Sequence, residues 1–191
     1  MLTTILGYAL IGLFFASEGR TRKGQSAQSL EQGGFDRRST ALVGGAWLLT
    51  GLSLLLALPL NYFRIGSITP ASITGWSGLL IAVGGISIRL WANRTLGEYY
   101  TRTLRVATAQ TIVQKGPYRN IRHPGYLGSM LMWVGAGLAT TNWLVVSLAV
   151  VVMSAAYYYR IRVEEQMLMA TMSAEYLEYK ARTWKLIPFL F

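Results

Sequence analysis

The chain reads as an all-α integral membrane protein of five transmembrane helices, and three observations carry that reading. Of its 191 residues 52% are hydrophobic and only 14% charged, and the mean hydropathy is positive at +0.36. That is too apolar for an ordinary soluble domain. The apolar residues are gathered into runs separated by polar segments. Lysine and arginine, finally, alternate along those segments: five between Glu18 and Ser39, one before the third run, six from Arg94 to Arg122, none around Asn142 and five from Arg160 onward. By the positive-inside rule this predicts an N-terminus outside and a cytoplasmic C-terminus, the plasma membrane being the expected location. We take residues 1–191 as a single membrane domain, with three N-terminal spans in 1–92 and a functional core in 93–191.

The net charge of +10 raises the question of nucleic acid. The basic residues sit beside apolar runs and no basic helix stands free of them, so anionic lipid headgroups are the expected partner and nucleic acid is not. Cysteine is absent and there is one histidine. Disulfides and thiolate metal sites are excluded, and no metal is expected.

Leu2–Ser17 is the first run; at ~1.5 Å per residue it reaches ~24 Å, short of the ~30 Å hydrocarbon core, and needs flanking residues or a thinner bilayer. Met1 to Thr4 lack a basic n-region, so the run reads as a retained helix rather than a signal peptide. The polar, Gly/Ser/Gln-rich stretch from Glu18 to Ser39 reads as a surface loop. Thr40–Tyr62 is the clearest span, with Pro59 expected to kink its end. The third span, Ile73–Ala92, is interrupted by Gly75, Gly78, Gly84 and Gly85, which let a neighbour approach; Arg89 in its last turns can snorkel to the boundary, the commoner outcome, or point into the protein. Asn93–Arg122 is a long polar connection, expected to be ordered because aromatic and β-branched residues recur through it. Gly125–Thr141 and Trp143–Tyr159, parted only by Asn142, form an antiparallel hairpin.

The last span continues without a breaker into an amphipathic segment. Arg160, Glu164, Leu168, Met172, Tyr176 and Tyr179 fall at helical intervals and share one face, which turns Arg160 and Glu164 toward the interior and Glu165 out to solvent. A structural ion pair between Arg160 and Glu164 is the plainer alternative to a binding role.

The densest polar cluster is Gly116 to Gly128, which contains the one histidine. Pro124 is suited to the first position of a helix, leaving the N–H groups of Tyr126 and Leu127 to receive an anion. Tyr118 and Tyr126 offer flat faces for a purine or a sulfonium, or belong to the interfacial aromatic belt.

The order GPY-x3-RHP-x-Y-x-G, a helical hairpin, R-x3-EE-x2-L, Y-x2-Y and a terminal proline resembles the isoprenylcysteine carboxyl methyltransferase family, over Leu96 to Pro188. The resemblance implies an S-adenosylmethionine site on the cytoplasmic side, formed by the loop before the fourth span and the C-terminal helix. It would use Gln110, Thr111, Ile112, Val113, Tyr118, His123, Pro124, Gly125, Tyr126 and Glu164. Arg160 matches an arginine that such enzymes direct at the substrate. Met172-Ser173 replaces the Phe-Gly common in the family, and Gln110 stands where some members have histidine.

The resemblance implies methyl transfer to a lipophilic or lipidated acceptor arriving from the bilayer. An ionised carboxylate needs no general base, and the sequence presents none, so an anionic acceptor such as a C-terminal isoprenylcysteine is favoured. Phospholipid amines and thiols are the alternatives. NADPH-dependent sterol reductases have similar C-terminal halves, and a non-enzymatic lipid-binding protein is the reading outside enzymology.

Overall fold

The computed structural model describes residues 1–21, 36–97 and 111–188, with only the backbone helix described for 17–21. Among these residues there is no strand, only two isolated bridges. The described residues form, in order, α1 (Leu2–Thr21), α2 (Ser39–Tyr62), α3 (Ala71–Leu96), α4 (Pro124–Ala139), α5 (Trp143–Thr171) and α6 (Ser173–Arg182), with a short 3-10 helix (Gly116–Arg119) before α4. The helices α2, α3 and α5 are long and apolar enough to cross a membrane, while the apolar part of α1, Leu2–Ala16, is shorter.

Their burial pattern is inverted relative to a soluble bundle. On α2, Thr50 and Ser53 point inward while Leu48, Leu52, Leu55 and Leu56 are more than half exposed. A leucine face of this extent turned outward requires a lipid solvent. This is an integral membrane protein.

Small residues set the closest packing. A Cβ on Gly78 would lie 2.4 Å from the backbone N of Ala139, and one on Gly85 2.4 Å from that of Met132. Gly128 and Gly135 of α4 meet Arg89 and Ala82 in the same way, so α3 and α4 run antiparallel with backbones in contact. Gly75 packs on Thr3 of α1, whereas Gly84 has nothing within 4 Å and takes no part. The core joins Phe14, Ala46, Leu54, Met132, Trp133, Met153 and Tyr157 from α1, α2, α4 and α5.

Arg89 does not snorkel. It is 7% exposed, its guanidinium lies over the rings of Phe14 and Trp47, and its Nη1 donates to Ser129 Oγ at 2.6 Å. The cause is local: Gly128 lets α3 approach α4 so closely that the arginine stem is enclosed before it can turn to the boundary.

The third span reaches further than the sequence suggests, to Leu96, so Asn93 is helical; Gly97, at φ 56°, stops it. Residues 98–110 of the following connection, and with them Gln110, lie outside the described residues. The hairpin forms as expected, Pro124 opening α4 and the Asn142 side chain capping α5 by accepting from the backbone N–H groups of Leu144 and Val145. The continuous C-terminal helix does not: α5 ends at Thr171, Met172 takes φ −137° and ψ 48°, and α6 starts at Ser173. The stripe from Arg160 to Tyr179 is therefore two faces joined at a bend, although Tyr176 and Tyr179 are still buried.

Candidate functional site

The first turn of α4 meets the middle of α5 in a layer of polar side chains. His123, 5% exposed, stands between two carboxylates: Nδ1 is 3.6 Å from Glu164 Oε2 and Nε2 is 3.4 Å from Glu165 Oε1. Its ring stacks on Tyr126 with centroids 5.6 Å apart, and Tyr126 stacks in turn on Tyr157 at 5.1 Å. The Tyr126 ring is thus engaged by protein rings, and its hydroxyl is the polar part, donating to Glu164 Oε2 at 2.6 Å and accepting from Arg160 Nε at 3.2 Å. The N–H groups of Tyr126 and Leu127 do not await an anion; both donate to the His123 carbonyl, because α4 closes its first turn on its own N-cap.

Glu165 departs from the solvent-facing position expected of it. Its side chain is 12% exposed, against 25% for Glu164, and it pairs with Arg122 Nε at 3.1 Å. The reason lies C-terminal to α6, in a segment whose pairing no sequence period announces. Arg122 and His123 donate their backbone N–H groups to the carbonyls of Trp184 and Lys185, and Trp184 donates to Asn120. Arg122 Nη1 also reaches the carbonyls of Lys180 and Thr183. This strap covers the outer side of α5 and buries Glu165 beneath it.

Arg160, 5% exposed, is held on the other side of Tyr126. Nη1 donates to Asp36 Oδ1 at 2.8 Å, Ser39 Oγ at 2.7 Å and Thr40 Oγ1 at 2.8 Å. Contact with Glu164 runs through the Tyr126 hydroxyl, so the plain ion pair between Arg160 and Glu164 is not what forms. Asp36, fully buried, is the residue that sequence reasoning missed; a lone aspartate in a polar stretch carries no periodic signal. Breaking a pair this buried typically costs ~3–5 kcal/mol.

Tyr118 is 9% exposed, too enclosed for a lipid-facing belt, and its carbonyl accepts from the Tyr179 hydroxyl at 2.7 Å. Burial, aided by the Glu164 charge, pushes the Tyr118 phenol well above its ordinary value. Tyr176 is raised by burial and by Glu165, and Tyr179 by burial. These hydroxyls remain protonated donors at any physiological pH. Thr111, Ile112 and Val113 precede the 3-10 helix; the Ile112 N–H donates to Glu175 of α6 at 3.3 Å.

Among the described residues the buried side-chain atoms without a hydrogen-bond partner are Thr50 Oγ1, Asn93 Nδ2, Trp133 Nε1 and the Tyr176 hydroxyl. Of these, Asn93, 9% exposed, and Tyr176 belong to the polar layer, where Glu164 accepts from the Tyr126 hydroxyl through Oε2. Asn93 lies beside the first turn of α4, where a Cβ on Gly125 would come within 3.8 Å of its Oδ1. A buried unmatched donor costs about 1–3 kcal/mol, so Asn93 Nδ2 calls for an explanation such as a bound ligand. Among the described residues no group of histidine and acids is arranged to hold a metal ion.

The model of the isoprenylcysteine carboxyl methyltransferase (ICMT) family matches residues 78–170. The protein-S-isoprenylcysteine O-methyltransferase of Saccharomyces cerevisiae is 33% identical over 115 residues, 59% of this chain and 48% of that protein. Protein-S-isoprenylcysteine O-methyltransferase A of Arabidopsis thaliana is 29% identical over 145 residues, 73% of each chain. The human protein-S-isoprenylcysteine O-methyltransferase is 33% identical over 132 residues, 66% of this chain and 44% of that protein. The chain therefore spans about half the length of the yeast and human relatives. A solved structure described as the eukaryotic intramembrane Ras methyltransferase ICMT shares the fold, with a TM-score of 0.71 at 20% identity, covering 98% of this chain and 68% of that one.

Proposed function

Since the chain belongs to the isoprenylcysteine carboxyl methyltransferase family, we propose that it is an S-adenosylmethionine-dependent methyltransferase of the membrane, acting on the carboxylate of a lipophilic acceptor such as a C-terminal isoprenylcysteine. The observation that carries this reading is the buried, unmatched Asn93 Nδ2 beside the first turn of α4, the turn whose Tyr126 hydroxyl donates to the Glu164 carboxylate. An unmatched donor and a carboxylate served by one helix turn suit an amino-acid-bearing cation such as S-adenosylmethionine, so the residues present fit that group.

In this reading Glu164 takes the cationic or ribose side of the cofactor, while Asn93, Tyr118 and the His123-Pro124-Gly125-Tyr126 turn enclose it. Gln110, Thr111, Ile112 and Val113 complete the cofactor side, and Arg160 orients the acceptor carboxylate. The cofactor supplies an already activated methyl group. The protein's part is to hold the acceptor oxygen in line with it and to exclude water, and no proton has to be removed from an ionised carboxylate. His123, wedged between Glu164 and Glu165, is accordingly a fixture of the site and not its base.

We further propose that α1 and α4 complete five membrane spans within one domain, 1–191, that the N-terminus lies outside and that the site faces the cytoplasm of a plasma-membrane protein. Both ends of α4 are tied to polar layers, and Arg122, Arg160 and Arg162 gather at one of them, which supports that orientation. The acceptor then enters from the bilayer beside α5 and the cofactor from the aqueous side.

The test is equilibrium binding of S-adenosylhomocysteine and of NADPH to the detergent-purified protein, followed by methyl transfer to a prenylated cysteine analogue. Binding of S-adenosylhomocysteine and no binding of NADPH are expected. Affinity for NADPH alone replaces the reading with a reductase, and affinity for neither replaces it with a lipid-binding protein.

A further inference from the structure

Arg160 and Glu164 are one helical turn apart, a spacing at which opposite charges ordinarily pair. Here they do not meet directly. The guanidinium is drawn to the other side by Asp36, which lies three residues before α2 and outside the stretch matched by the family model. Asp36 is itself firmly seated: Oδ1 accepts from Thr40 Oγ1 at 2.7 Å and Ser39 Oγ at 3.2 Å, and Oδ2 accepts from the Thr40 N–H at 3.3 Å. Among the described residues Arg160 Nε reaches back, to the Tyr126 hydroxyl. A phenol has one proton to give; once its oxygen accepts from Arg160, that proton is directed at Glu164 Oε2. Asp36 meets Arg160 directly at 2.8 Å, whereas Glu164 meets it through the Tyr126 hydroxyl.

We propose that Asp36 is a positioning residue of the cofactor site: it holds Arg160 away from Glu164, so that the Glu164 carboxylate stays available to a cationic ligand. The inference rests on the methyltransferase reading and extends it to a residue of the N-terminal part of the chain. Without the Asp36 charge, Arg160 turns toward Glu164, one helical turn along α5, and quenches it.

The experiment titrates S-adenosylhomocysteine against detergent-purified wild type, Asp36→Asn, Glu164→Gln and the double variant, with the melting temperature of each ligand-free protein measured beside it. Asp36→Asn keeps the shape of the side chain and removes its charge; about a tenfold loss of affinity is expected, as for directly coupled residues. In the Glu164→Gln background the same change should add nothing further, because its target is already gone. Thr40→Val, which removes a hydroxyl shared by Asp36 and Arg160 while leaving the ion pair, should shift affinity in the same direction by less, and serves if Asp36→Asn does not fold. A lowered melting temperature with unchanged affinity, or losses that multiply independently in the double variant, overturns the proposal. Wild-type protein that binds no S-adenosylhomocysteine overturns the cofactor reading and this inference with it, a result distinct from wild-type binding that Asp36→Asn leaves untouched.

Discussion

The two ends of the helical bundle solve the same problem with different chemistry. At the Asn142 end a loop must be fastened to the α4–α5 turn, and neutral amides do it. Asn142, fully buried, accepts from the N–H groups of Leu144 and Val145 and donates to Asn61 Oδ1 and the Ile65 carbonyl, both at 2.8 Å. Asn61 Nδ2 donates to the Thr140 carbonyl at 2.6 Å, and backbone bonds from Ile68 and Trp143 close the seam. At the His123 end the fastening is ionic, through Asp36 to Arg160 and Glu165 to Arg122, and it leaves Asn93 Nδ2 and the Tyr176 hydroxyl unmatched. A seam that only has to hold can satisfy its polar groups, and one that keeps some of them open is, on the reading proposed above, the end that binds.

The comparison breaks most directly at Asn142. Asn142→Leu removes the partner of two helix N–H groups and of the Ile65 carbonyl and one of the donors to Asn61 Oδ1, which should cost roughly 2–4 kcal/mol of stability. The affinity of the folded protein for S-adenosylhomocysteine should not change. A melting curve and a titration on the same sample check both halves; loss of affinity at this distance would mean that the two ends are coupled and the division is wrong.

The next largest effect divides the two glutamates. Glu164→Gln should weaken S-adenosylhomocysteine binding by about 1.5–3 kcal/mol, the scale of a hydrogen bond to a charged group, with a small change in melting temperature. Glu165→Gln should do the reverse, because its partner is Arg122 and the strap from Thr183 to Lys185. A matching loss of affinity in both variants would place Glu165 in the site as well.

How much of this the sequence disclosed follows from the range of each interaction. Helix positions, the Asn142 hairpin and the start at Pro124 were legible because periodicity and capping are local. Glu164 was picked out by its register with Arg160, and it accepts from the Tyr126 hydroxyl, which accepts in turn from Arg160. The exposed position expected for Glu165 failed for a complementary reason: helical register says which way a side chain leaves its own helix, not what another segment later lays over it. Arg89 failed similarly, since enclosure by Gly128 of α4 is a contact between helices. Asp36 was invisible, being an isolated acid whose partner is 124 positions away. The Tyr126 and Leu127 N–H groups were assigned to a ligand although a helix that begins at proline can close its first turn on the preceding carbonyl.

The smallest expected effect uses pH to distinguish the two ends. Burial, with the nearby glutamates, raises the phenols of Tyr118 and Tyr176, and burial raises that of Tyr179, above the ordinary value of 10.0. A raised folded-state value means that the stabilisation is complete below the unfolded value and is lost as the pH climbs from there toward the folded one. Above about pH 10 the unfolded chain releases these protons while the folded chain keeps them, so stability falls by at most about 1.4 kcal/mol per pH unit for each phenol. The hydrogen bonds of the Asn142 seam join neutral groups and do not change over this range. Melting temperature should therefore be level through neutral pH and decline in alkali, and Tyr118→Phe should make that decline shallower while Asn142→Leu lowers the whole curve without altering its slope. An alkaline decline that is equally steep in Tyr118→Phe would show that the phenol ionises elsewhere than in the unfolded chain, and that the His123 end is less enclosed than its burial implies.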